Sequence, residues 1–97
     1  PAPAAASAAG CRGEAGEVIG YWYAGAESPG KRGEIVTISG GVNVRAFLPS
    51  RENGWNSRTQ LVCSLGDGWR VRLGQAPVFV PGGAWWVPLA VDDILER

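Results

Sequence analysis

Residues 29–50, PGKRGEIVTISGGVNVRAFLPS, constrain the fold more than any other stretch of this chain. From Glu34 the side chains alternate with period two, which puts Val36 and Ile38 on one face and Ile35 and Thr37 on the other. Ser39-Gly40-Gly41 then turns the chain, because glycine reaches the positive φ values that tight hairpins require. After the turn Val42, Val44, Ala46 and Leu48 face one way, and Asn43, Arg45 and Phe47 the other. The pattern predicts two strands paired as a β-hairpin.

The remaining strands follow from the same period. Residues 17–23, EVIGYWY, read as a first strand, and residues 58–65, RTQLVCSL, as another that ends at the turn Gly66-Asp67-Gly68. In residues 69–73 Trp69, Val71 and Leu73 point inward while Arg70 and Arg72 point outward. Residues 77–80 and 85–89 are shorter candidates whose prolines suit sheet edges. Residues 91–97, with Asp early and Arg late, predict one helical turn. Fifteen Gly and seven Pro scattered among these segments suit short strands and tight turns. The expectation is an all-β fold: a small closed or sandwiched barrel of five to seven short strands.

A chain of 97 residues fits one domain with a single core. We place an Ala/Pro-rich arm at residues 1–11 and the barrel domain at residues 12–97. The arm, PAPAAASAAG up to Cys11, has too little bulky apolar surface to fold alone. Its Ala and Pro residues lose little side-chain entropy on ordering, so it suits an extended path along a partner, with Pro1 and Pro3 as contact residues. Ser7-Ala8-Ala9-Gly10-Cys11 has the outline of a lipoprotein cleavage box, but no charged segment or long apolar run precedes it. A start at Pro1 after removal of an initiator Met is at least as natural an expectation.

Cys11 and Cys63 leave two alternatives open. Either they form a disulfide, or Cys63, within Leu61-Val62-Cys63, is a small core residue and Cys11 a free thiol. Two cysteines without His are too few for a zinc site, and no metal or cofactor is expected.

The chain has no His, which removes the commonest general base and the Ser/His triad. Asp92-Asp93 and Glu52 are the carboxylates to consider, but adjacent aspartates on a helical turn point apart and serve more often as helix-start residues. Gly82-Gly83 lacks the Lys and Ser/Thr of a phosphate loop. Enzymatic activity is not expected. Nine acids balance nine bases, so no overall field favours nucleic acid or an anionic membrane. Arg45, Arg51, Arg58, Arg70 and Arg72 are read as solvated strand and loop positions rather than a basic face.

The five Trp residues divide between core and surface. Trp69 and Trp85 are assigned to the core. Trp85 and Trp86 are adjacent, so a strand would send them to opposite sides. Trp55, in a polar loop, and Trp86 are therefore the candidate partner-binding anchors.

Residues 30–73 resemble two groups of SH3-like small barrels. Val42-Asn43-Val44-Arg45 and Gly68-Trp69-Arg70-Val71-Arg72-Leu73 are similar to strands of bacterial SH3 (SH3b) domains. The order Glu34-Ile35-Val36, residues 42–47, Trp55-Asn56-Ser57 and Gly66-Asp67-Gly68-Trp69 resembles small phage-encoded structural β-proteins. The phage resemblance implies a virion component, a capsid decoration or neck protein, that contacts other protein subunits in repeated copies. The SH3b resemblance implies an exported, periplasmic or extracellular domain that binds cell-wall peptide. A nucleic-acid-binding SH3-like module ranks third.

Overall fold

The computed structural model describes residues 10–96; Pro1 and Pro3 lie outside them. The fold is all-β. Among the described residues eight strands form: β1 (Val18–Gly25), β2 (Ile35–Thr37), β3 (Val42–Arg45), β4 (Leu61–Leu65), β5 (Arg70–Arg72), β6 (Val78–Val80), β7 (Ala84–Ala90) and β8 (Ile94–Glu96). They make a five-stranded sheet in the order β4-β3-β1-β7-β6 and a three-stranded sheet in the order β2-β5-β8. Every strand pair is antiparallel. No pairing joins the two sheets among the described residues, so the barrel is not closed.

The alternation of residues 34–48 is present, but the hairpin is not. β2 pairs with β5, while β3 lies between β1 and β4 in the other sheet. Gly40 and Gly41, with φ of 79° and 80°, turn the chain from one sheet into the next. Asp67 fixes this corner by accepting the Gly40 N–H at 2.6 Å. Alongside it Ile38 donates to the Trp69 carbonyl at 2.8 Å, and Gly68 donates to that of Ile38 at 2.7 Å. Strands that face each other across a core show the same alternation as strands that pair edge to edge. The pattern therefore placed the faces correctly and the partners wrongly.

The core lies between the sheets. Trp22, Val44, Cys63, Leu65, Val87 and Leu89 come from the five-stranded sheet, and Ile38, Val71 and Leu73 from the three-stranded side. Val44, Val71, Leu73, Val87 and Leu89 are completely buried, each contributing about 1.5–3 kcal/mol of transfer free energy. Val36 packs on this cluster from its margin. Trp69, Val71 and Leu73 turn inward and Arg70 and Arg72 outward, as the alternation required. Trp22 buries its indole N–H without an acceptor among the described residues.

Of the two alternatives for the cysteines the disulfide forms: Cys11, buried in the core, is bridged to Cys63 in β4, 52 positions away, with Cα atoms 5.1 Å apart. Two further expectations are corrected. The C-terminal helical turn shrinks to a 3₁₀ turn at Val91–Asp93, after which Ile94–Glu96 pairs with β5. β7 is an interior strand despite Pro88. The reason is local: β6 pairs only with Ala84, Trp85 and Trp86, so at Pro88 the strand has β1 as its sole neighbour.

Candidate functional site

The outward face of the five-stranded sheet is built by register. Arg45 and Pro88 flank Tyr21, and Leu61 opposes Arg45 from β4. In the next row Trp86 lies between Tyr23 and Val78. The rings of Tyr23 and Trp86 meet edge to face, with centroids 5.4 Å apart at 75°. Tyr23, Leu61 and Val78 remain substantially exposed, and so does Phe47 just past β3, at 64%. A row of apolar groups across one sheet face is more than scattered exposure.

Residues 46–60 rise beside this face as a braced loop. Thr59, nearly buried, accepts the Phe47 N–H at 3.1 Å and donates its hydroxyl to the Phe47 carbonyl at 3.0 Å. Asn53 organises the tip: its Oδ1 accepts from the backbone of Ser50 at 2.9 Å and Asn56 at 3.0 Å, and its Nδ2 donates to Leu48 at 2.9 Å. The chain passes the tip with Gly54 at φ 69° and Trp55 at φ 61°. Left-handed backbone is uncommon for a bulky residue and is retained where the surroundings impose it. Here the Trp55 N–H is held by the Ser50 carbonyl at 2.7 Å, and the ring stands 49% exposed.

Between loop and sheet lies an open groove of about 490 Å³, lined by Tyr23, Val42, Asn43, Arg45, Arg58 and Trp86 with Gly41 and Ser57. Arg45 is half-buried, and its Nη1 donates to the Thr59 carbonyl at 3.2 Å. Asn43 accepts the Ser64 hydroxyl at 2.9 Å through Oδ1.

The other predicted residues fall elsewhere. Trp86, expected as an exposed anchor, is 3% exposed, because Tyr23 packs on its ring and β1 and β6 flank it. Its neighbour Trp85, assigned to the core, is only half-buried and stacks edge-on against exposed Phe79 at 5.2 Å. The two do point to opposite sides, Trp86 beside Tyr23 on the outward face and Trp85 on the side of Val87 and Leu89; what differs from the expectation is how far each is covered. Asp92 accepts the Gly16 N–H at 2.8 Å, and Asp93 accepts the Ala90 N–H at 3.1 Å. Burial raises the Asp93 carboxyl above its ordinary range, against the lowering effect of the Ala90 hydrogen bond; Asp92 adds to the rise and Arg72 opposes it. Asp92 thus ties the segment before β1 to the 3₁₀ turn, while Asp93 secures that turn locally. Among the described residues no three His, Cys, Asp or Glu side chains gather as a metal site. The five arginines divide: Arg70 and Arg72 sit on the three-stranded sheet, Arg45 on the other, and Arg51 and Arg58 in the loop.

Sequence reasoning missed Tyr23, Phe47, Asn53 and Thr59. Asn53-Gly54 was a legible turn signal. The bracing by Thr59 had no signal, because its partners lie 12 positions away. No protein-family model, curated protein or solved structure matches the chain.

Proposed function

We propose that this chain is a non-enzymatic structural subunit that attaches to a larger protein assembly, a phage particle in the first instance. The observation that carries this reading is the exposure of Tyr23, Leu61 and Val78 on one sheet face and of Phe47 just past β3, with Trp55 exposed in the adjoining loop. Large apolar groups gathered on a small domain mark a surface that a partner covers, and Trp is the residue most enriched among binding hot spots. The arm at residues 1–10 supplies a second attachment. The non-enzymatic part rests on the lack of His and on two aspartates engaged by backbone N–H groups. The order of sequence stations that resembles phage β-proteins directs the choice of particle.

The Cys11–Cys63 bridge favours a second reading, an exported SH3b-type domain that binds cell-wall peptide. Disulfides persist outside the reducing cytosol, on secreted proteins and virion surfaces alike. A nucleic-acid role has less support, since the arginines divide between two sheets and a loop.

Gradient fractionation of the native source separates these readings. The chain is expected to sediment with large particles in repeated copies. Co-sedimentation with cell-wall sacculi would instead establish the second reading. Deleting residues 1–10, or replacing Trp55 by Gly, should release the chain from its particle while leaving its melting temperature nearly unchanged. Unfolding of the isolated domain on arm deletion would remove the arm from the attachment mechanism.

A further inference from the structure

The groove between the sheet face and the 46–60 loop carries a specific chemistry. Among the described residues that line it the charged ones, Arg45 and Arg58, are both cationic, and none is a carboxylate. Arg45 is positioned in advance: Thr59, locked at both ends to the Phe47 backbone, holds its Nη1 and leaves the other guanidinium N–H groups uncommitted. The Arg58 guanidinium makes no hydrogen bond or ion pair to the described residues; only its backbone is engaged, donating to Asn56 at 2.8 Å. Asn43 spends its oxygen on Ser64, which turns its amide into a donor toward any ligand. Tyr23, braced edge-on by Trp86, forms the apolar wall. The groove thus combines several donors, two cations and an aromatic surface, in a volume typical of sites for short ligands.

We propose that this groove binds an acidic peptide segment of the partner protein, with a Glu or Asp carboxylate on Arg45 and Arg58 and a neighbouring apolar side chain against Tyr23. The proposal rests on the reading of this face as an attachment surface and names what it recognises. Charge complementarity selects the occupant: a planar guanidinium pairs bidentately with a carboxylate, and Asn43 adds a donor for the peptide carbonyl. A nucleic acid fits less well. Its affinity comes from neutralising many phosphates at once, whereas this cationic site is local, on a chain with nine charges of each sign.

The test uses the full chain and a fluorescein-labelled peptide that alternates Glu and Leu, with a twin in which each Glu is Gln. A single-stranded oligonucleotide of equal charge is the third probe. By fluorescence anisotropy the Glu peptide is expected to bind, to weaken as salt rises from about 0.05 to about 0.5 M, and to lose about tenfold in affinity on Arg45→Gln. Arg58→Gln should lose affinity in the same direction. Because Arg58 is exposed and its guanidinium bonds none of the described residues, that variant keeps the test valid if Arg45→Gln unfolds. Arg72→Gln, on the other sheet, should leave binding unchanged. Equal binding of the Gln twin would overturn the carboxylate assignment and leave the attachment surface standing. Tighter binding of the oligonucleotide, or no binding of either peptide, would overturn the proposal. In either case sedimentation of the chain with its particle would still decide the attachment reading independently.

Discussion

On the three-stranded sheet the outward positions are Ile35, Thr37, Arg70 and Arg72; on the five-stranded sheet they include Tyr21, Tyr23, Asn43, Arg45 and Val78. Both sheets contribute to one core, and both obey the same alternation on their inner faces. Burial constrains only the inward half of each strand. The outward half is free to be polar, as it mostly is on the smaller sheet, where a lone exposed Ile35 needs no partner. An aromatic row on the larger sheet is a choice that solubility alone would not favour. The difference is what the proposed attachment through the larger sheet rests on.

The comparison is most severely tested through the bridge that anchors β4. Replacing both Cys11 and Cys63 by Ala is expected to cost about 4 kcal/mol, from the entropy of a loop closed over 52 positions. A single urea transition at a lower midpoint is the expected result. Selective loss of amide protection in β3 and β4, with β5 still protected, would show that the two sheets are separate cooperative units rather than halves of one.

Val44 and Val71 probe the shared core from its two sides. Both have no exposed surface, so Val44→Ala and Val71→Ala should each cost about 1–3 kcal/mol in lost burial and cavity. Comparable shifts in the denaturation midpoint would confirm one core. A cost confined to one of them would divide it.

The outer faces themselves are compared by Phe47→Ser and Ile35→Ser. Each should change stability by no more than about 1 kcal/mol, since Phe47 is 64% and Ile35 46% exposed. Phe47→Ser should weaken attachment and Ile35→Ser should not. Equal effects on attachment would erase the distinction between the faces.

The smallest effect is expected at Asp93, beneath neither outer face. Its carboxyl is raised in the folded state, so the native protein holds the proton to higher pH than the unfolded chain does. Its contribution to stability is greatest below the unfolded Asp value of 3.8 and is lost as pH rises through the raised native value. Asp93→Asn keeps an acceptor for the Ala90 N–H and removes the cost of a buried charge. Stability near neutral pH should rise slightly, and the decline between acid and neutral pH should flatten. Unchanged pH dependence in chemical denaturation would assign the shift to another group.

Period-two alternation determined the all-β class and the inward positions Ile38, Val44, Val71 and Leu73, because each depends only on the local geometry of an extended chain. Glycine and proline placement marked the turns for the same reason. The tertiary structure decided what local geometry leaves open. It set β2 and β3 in different sheets, since facing and pairing strands share one pattern. It buried Trp86 and left Trp85 at the margin, since alternation separates two neighbours without saying which side is covered. It joined Cys11 to Cys63 and placed Arg45 and Arg58 around one groove, since both depend on distances across the fold. The site belongs to this second class: Tyr23, Phe47 and Thr59 acquire their roles only from neighbours far away in the chain.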